Sequence, residues 1–332
     1  MPFKDILGHE REIRVLREAL NTGRLAHSYL FAGPEGIGKR KTAFELARAL
    51  NCASATDDAC GECASCLRAA SGTHTNIVEV APTVKDRDEL VPDPSGLIRI
   101  EQIRDILSLL KYKADGGRKA VIVDGAERLM PQAANAFLKT LEEPPAGSII
   151  MLVTSRPADL LPTIISRCQR VSFRPLPEEA LIVALVEKTG ATEEEAMTAA
   201  RMTGRSLSLA LKYIGEGRGD KGRELIKRLQ SITDVSEALK FAEELSKKDD
   251  ILEALETLKG WYRDRAIAAS GAENLLVNRD VYGYSDGSFE GRRREGLAED
   301  FFSIEETRRM IAPPRYANKL LAMEALILKL VD

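Results

Sequence analysis

The sequence predicts an α/β fold: a five-stranded parallel sheet covered by helices, then a small helical unit and an all-helical C-terminal domain. Three observations carry this expectation. Short β-like runs alternate with helical patterns through the first half of the chain, as in parallel sheets whose crossovers are helices. Gly33-Pro34-Glu35-Gly36-Ile37-Gly38-Lys39 lies between a β-like run and a helical one, the setting of a phosphate-binding loop. From Leu176 onward the apolar period becomes helical and remains so.

Taken in order, residues 10–21 repeat apolar side chains at Ile13, Leu16 and Leu20, an amphipathic helix. Residues 28–32 read as a strand. Residues 39–51 read as a helix with Ala43, Phe44, Ala47 and Leu50 on one face. Strands at 76–80, 119–123, 148–153 and 170–173 complete a set of five. Residues 81–97 carry three prolines and several charges and are expected to form an exposed loop. Residues 177–216 read as short helices broken at Gly190 and Gly204, and residues 215–220, rich in glycine and charge, as a linker. The remainder is helical apart from a polar stretch at 278–295, and no repeat of fixed period is present. The expected boundaries are 1–174, 175–217 and 222–332.

Composition agrees. Of 332 residues, 44% are hydrophobic and only 5% aromatic, which favours Leu/Ala-rich helices over a β-sandwich. The net charge of −3 supplies no global basic field for nucleic acid, so a role at DNA would run through partners or a local patch. A general nucleic-acid-binding zinc protein is disfavoured for the same reason, and because interleaved basic and aromatic residues are missing. The N-terminus lacks a basic segment followed by an apolar one, and no apolar run reaches the ~20 residues of a membrane span. A cytoplasmic protein with reduced thiols is expected, without membrane partners.

The loop at 33–39 fits G-x-x-x-x-G-K. Gly33, Gly36 and Gly38 would let backbone N–H groups curl around a phosphate, and Lys39 would reach the outer phosphates. A glycine-rich turn before a surface-lysine helix is the plain alternative. The apolar strand ending at Asp124 supports the phosphate reading, since that carboxylate stands where a magnesium-binding aspartate belongs. Two positions depart from the motif. Arg40 replaces the Ser or Thr whose hydroxyl ligates magnesium, and a guanidinium has no acceptor to offer. Thr42 is out of register for that task. Gly125 follows Asp124 where a catalytic glutamate would stand, and Glu127 comes later on a turning path. Such a loop is expected to hold a phosphate, ADP or ATP at most, and to hydrolyse poorly or not at all.

Cys52, Cys60, Cys63 and Cys66 fall within fifteen residues, while Cys168 stands apart. Four thiolates with C-x-x-C-x-x-C spacing suit a closed tetrahedral structural Zn²⁺ site. His74 is an alternative ligand or an ordinary loop residue. The residues after Cys66 do not continue the ferredoxin pattern of an iron–sulfur cluster.

With these motifs in place, the chain resembles the clamp-loader subunits of bacterial DNA polymerase III, a branch of the AAA+ proteins. The resemblance runs through Asn135-Ala136-Phe137-Leu138-Lys139-Thr140-Leu141-Glu142-Glu143-Pro144-Pro145, the sensor 1 region at 152–155, and Ile165-Ser166-Arg167-Cys168, the family's S-R-C motif. Gly8-His9-Glu10 resembles the box beside the adenine. The likeness covers residues 1 to about 212, the rest fitting as a helical collar domain. Within the branch, Arg40, Gly125 and Ser208, the last at the sensor 2 arginine position, resemble the δ′ type and not the γ/τ motor. An active ATPase motor of γ/τ type is the alternative.

The resemblance implies a ring member without intrinsic ATPase, in a hetero-pentamer with δ and γ/τ. That complex loads the sliding clamp on primed DNA and forms part of a DNA-directed DNA polymerase holoenzyme. It also implies that Arg167 acts in trans as an arginine finger on the ATP of a neighbouring subunit. Leu255, Leu258, Leu320, Met323, Ile327 and Leu330 are candidate collar-helix positions, although such stripes are more often packing within one domain.

Overall fold

The structure is a computed structural model that describes residues 2–54, 57–86, 89–248, 250–272, 275–276, 294–312 and 317–331. The polar stretch expected at 278–295 lies outside the described residues as far as 293.

In chain order the first elements are α1 (Glu10–Thr22), β1 (Ser28–Ala32), α2 (Lys39–Asn51), α3 (Ala64–Ala70) and β2 (Ile77–Val80). A hairpin follows, β3 (Thr83–Asp86) and β4 (Glu89–Pro92), then α4 (Ile100–Leu110), β5 (Lys119–Asp124) and α5 (Pro131–Glu142). Next come β6 (Ser148–Thr154), α6 (Pro162–Ile165), β7 (Gln169–Ser172) and α7 (Glu178–Thr189). The remaining described elements are α8 (Glu193–Met202), α9 (Leu207–Gly215), α10 (Arg218–Gln230), α11 (Val235–Ser246), α12 (Ile251–Ala268), α13 (Arg294–Ile311) and α14 (Lys319–Val331).

Five strands form one parallel sheet in the order β2-β5-β6-β1-β7. Because side chains alternate along a strand, each central strand feeds two cores. Tyr29, Phe31, Ala120, Ile122, Ile149, Met151 and Val153 face one side with Ile13 and Leu16 of α1 and Leu46 of α2. Leu30, Val121, Val123, Ile150 and Leu152 face the other with Ile103 and Ile106 of α4 and Phe137 and Leu141 of α5. Strands buried on both faces must be continuously apolar, which is why 119–123 and 148–153 were readable as strands. Their carboxyl ends bring Ala32, Asp124 and Thr154 to one edge, where open α/β sheets place their ligands.

The chain divides into two units, Met1–Leu181 with Arg205–Leu209, and Ile182–Gly204 with Ala210–Asp332. In the second unit Phe241, Leu245, Leu255, Leu258, Trp261, Ile304, Met323, Ile327 and Leu330 form one helical core. Five of the six candidate collar positions are therefore spent on packing inside their own unit, while Leu320 remains 38% exposed.

Two expectations are corrected, and one helix is added. Residues 81–97 hold an antiparallel ribbon, not just a loop: Thr83 pairs with Pro92 and Val84 with Val91. Pro92 is tolerated because this two-stranded ribbon consists only of edges, where one missing N–H leaves no ladder broken. Residues 215–220 are not a linker. α9 ends at Gly215, Gly217 adopts φ 60°, and α10 starts at Arg218, so the glycine turns the chain between two helices. Finally, α4 was not anticipated, although Gln102 returns its side chain to the Arg99 N–H at 2.9 Å in a capping box.

Candidate functional site

The loop between β1 and α2 has the shape its glycines permit. Gly36 has φ 71°, and a Cβ there would come within 2.2 Å of Ser208 Oγ and 2.3 Å of Ser206 Oγ. A Cβ at Gly33 would meet the Phe173 carbonyl oxygen at 2.5 Å. The loop is thus enclosed by the end of β7 on one side and by residues 206–208 on another. Ser208 donates from its backbone N–H and its hydroxyl to the Gly36 carbonyl, each at 3.2 Å. His9 joins them. Held at φ 63°, it approaches Ile37 O at 2.7 Å through Nε2 and meets Phe173 edge-on, ring centroids 4.9 Å apart.

Lys39 is buried and donates from Nζ to Gly33 O at 2.8 Å and to Pro34 O. Burial pulls its ammonium below the ordinary lysine value, with Glu127, Asp124 and Glu35 opposing. Arg40, the next residue, turns toward the strand ends. Its Nη2 lies 2.7 Å from Glu79 Oε2, and its Nε is 2.8 Å from the same oxygen and 3.9 Å from Asp124 Oδ2. Burial raises the Asp124 carboxyl above its ordinary value, against the pull of Arg40 and Lys39. Thr42 is buried, and its hydroxyl donates to Gly38 O at 3.0 Å, so it takes no part in the loop's open side.

Glu127 lies in the short 3-10 turn Ala126–Arg128 that follows Gly125. Its Oε1 accepts from Ser155 Oγ at 2.6 Å and from the Ser155 N–H at 3.2 Å. Burial opposes ionisation there, but the Ser155 hydroxyl and neighbouring donors outweigh it and hold the carboxyl below its usual value. Sequence reasoning named Glu127 without its partner and missed Glu79 altogether. Neither pairing has a local signal, because each joins residues many positions apart.

Arg167 follows α6. Its Nε donates to Glu142 Oε1 at 2.7 Å, Nη2 contacts the same oxygen, and Nη1 donates to Thr163 O at 2.9 Å. Its side chain remains 32% exposed. The structure thus joins Lys39, Arg40 and Asp124 around the loop, whereas Arg167 makes its contacts with Glu142, Thr163 and Ser166.

The four cysteines converge. One sulfur from each of Cys52, Cys60, Cys63 and Cys66 lies within 4.8 Å of the others. Cys52 Sγ to Cys63 Sγ and Cys60 Sγ to Cys66 Sγ are each 3.9 Å. A tetrahedron with metal–sulfur bonds of about 2.3 Å separates its sulfurs by about 3.8 Å, so the donor set fits one four-coordinate ion. Backbone N–H groups aim at the sulfurs: Cys60 N–H to Cys52 Sγ at 3.3 Å, Cys63 N–H to Cys60 Sγ at 3.4 Å, and Cys66 N–H to Cys63 Sγ at 3.4 Å. The last of these leads in lowering the Cys63 thiol to about 6, and the bonds together favour the thiolate that a metal needs. His74 is otherwise engaged: Nε2 pairs with Ser65 Oγ at 2.9 Å and Nδ1 accepts from the Asn76 N–H at 3.1 Å.

Comparison with known proteins adds kinship. A profile of the family described as "DNA polymerase III, delta subunit" matches residues 8–177. The tau subunit of DNA polymerase III from Bacillus subtilis is 36% identical over 182 residues, 54% of this chain and 30% of the relative. The delta′ subunit from Pseudomonas aeruginosa is 35% identical over 214 residues, 62% of this chain and 61% of the relative. The chain therefore spans less than two thirds of the length of either relative. A solved DNA polymerase III gamma subunit-related protein from Thermotoga maritima superposes over 96% of this chain and 98% of its own, at 21% identity and a TM-score of 0.47.

Proposed function

We propose a role that starts from kinship: this chain belongs to the DNA polymerase III, delta subunit family, among the AAA+ clamp-loader proteins. The role is that of a δ′-type ring member that does not hydrolyse ATP. It assembles with δ and γ/τ subunits, helps place the sliding clamp on primed DNA, and offers Arg167 to the ATP held by a neighbour. Residues 1–174 would carry the loop and a zinc ion at Cys52, Cys60, Cys63 and Cys66. Residues 175–217 would serve as a lid and 222–332 as the collar.

The observation that carries this reading is Arg40. The residue that should lend a hydroxyl to magnesium instead directs a guanidinium at Glu79 and lies 3.9 Å from Asp124. A fixed positive charge at the metal's post, with Gly125 where a base would stand, disfavours in-line attack on a phosphoanhydride. The ion pair of Arg167 with Glu142 supports its part in the reading, because a guanidinium held by Glu142 and still 32% exposed is oriented and accessible to a partner.

A motor of γ/τ type is the second reading. It is favoured by Glu127, a carboxylate oriented by Ser155 and near enough to Lys39 to lead the charges acting on it. ATP turnover by the purified chain separates the two. None above background is expected. Turnover that disappears in Lys39→Ala would establish the motor and end the ring-member reading.

A further inference from the structure

The phosphate-loop motif leaves one cation position between the loop and the strand-end carboxylate, filled by a divalent ion that a Ser or Thr hydroxyl and an Asp hold. The residues here do not fit such an ion. Position 40 supplies a positive charge without an acceptor, and the Thr42 hydroxyl is committed to Gly38 O at 3.0 Å.

They fit a guanidinium instead. Glu79 pairs in register with Ile122, and Asp124 is two residues beyond Ile122, so the period of two sends both carboxylates to the same face. That is the face on which α2 packs, since Ile122 shares its core with Ala43 and Leu46. Arg40, in the first turn of α2, reaches both: Glu79 Oε2 at 2.7 Å and Asp124 Oδ2 at 3.9 Å. Two acidic groups on adjacent strands are thereby bridged by a covalently attached cation. Its side chain is 61% exposed, so the donors not engaged by Glu79 are open to a ligand.

We propose that Arg40 is the resident cation of this loop, so that the loop takes the diphosphate end of a nucleotide free of divalent metal. The proposal rests on the reading of residues 33–39 as a nucleotide-binding loop in a subunit that does not hydrolyse. A guanidinium has five N–H donors in a planar fork, enough to keep Glu79 on one edge and meet phosphate oxygens on another. Lys39, now bonded to Gly33 O and Pro34 O, would turn from those carbonyls to the same anion. A divalent ion would have to displace a guanidinium from between two carboxylates before it could add anything. Its presence should therefore make little difference.

The test is calorimetric titration of the full chain with ADP, in excess EDTA and in excess magnesium. The two affinities are expected to agree within about threefold. Arg40→Thr, which restores the hydroxyl, should bind about tenfold more weakly in EDTA and recover that loss in magnesium. Arg40→Lys keeps the charge and should remain indifferent to magnesium, which serves if the threonine variant fails to fold. A native chain that binds ADP only with magnesium, or binds none in either buffer, overturns the proposal. Either result leaves the ring-member role standing, which only ATP turnover by the chain alone would remove.

Discussion

The backbone N–H of Phe3 donates to Asp58 Oδ1 at 2.9 Å, while the other oxygen of that carboxylate accepts from Arg17 Nη2 at 2.7 Å. One side chain from the loop between Cys52 and Cys60 thus holds both the N-terminal segment and α1. Arg17 also lies over the Phe3 ring, 5.9 Å from its centroid. The cysteine module is tied to α1, whose N-cap residue is His9, and so to the wall of the phosphate loop.

Asp58→Ala should lower stability by about 1–3 kcal/mol, because it leaves the half-buried Arg17 and the Phe3 N–H without their acceptor. Asp58→Asn keeps one oxygen acceptor and should cost less. Urea unfolding of the metal-loaded protein checks both. Equal stability of all three proteins would mean that the tether is idle.

The purified chain should contain about one zinc per molecule by elemental analysis. Cys63→Ser, or a strong chelator, should remove it and lower the melting temperature. Protons compete with the metal for thiolates, so affinity should fall as pH falls. Burial pushes the Cys66 thiol up to about 12, while backbone N–H donors lower the Cys63 thiol to about 6, so these two start far apart in their readiness to give up a proton. A metal-free preparation of undiminished stability would contradict the structural role.

Arg167→Ala should leave the reconstituted complex assembled and reduce turnover at the neighbouring site it serves by about a thousandfold or more, the scale of an arginine finger supplied in trans. Glu142→Gln, which removes the ionic partner at Arg167 Nε, should have a smaller effect. Size-exclusion chromatography and steady-state ATPase separate assembly from turnover. Unchanged turnover in the alanine variant would assign Arg167 to surface structure.

In the C-terminal unit Glu305 binds Lys259 at 3.2 Å, Arg308 at 2.9 Å and Arg309 at 2.9 Å. The Arg308 hydrogen bond leads in lowering its carboxyl to about 2 from an ordinary 4.5. A depressed carboxyl contributes stability that is complete above the unfolded value and lost as pH falls through the folded one. Glu305→Gln should therefore cost about 1 kcal/mol at neutral pH once solvent screening is allowed for. The difference from the native protein should vanish on acidification from about pH 5 to pH 2. Melting curves at a series of pH values report it, and a constant difference would show that ionisation of Glu305 is not the cause.

Much of the fold was readable because its signals are local. Buried parallel strands had to be apolar throughout, and the four clustered cysteines lie within fifteen residues, so their spacing already placed them near one another. The β3–β4 ribbon was hidden by its prolines and charges, since an exposed edge pair needs no apolar run. α4 did carry a signal, with Ile103, Ile106 and Leu110 buried on one face, but it followed a segment that read as loop.

By itself the sequence determined which chemistry was present and missing at the loop: Lys39 and Asp124 retained, Arg40 and Gly125 substituted, and four thiols at metal spacing. The tertiary structure alone decided what those groups meet. Glu79 reaches Arg40 only because β2 lies beside β5, Ser155 orients Glu127 only because β6 lies on the other side of β5, and Ser208 closes on Gly36 across 172 residues of chain. Side-chain pairing between strands is set by sheet order and register, and neither quantity is written in the neighbours of any one residue.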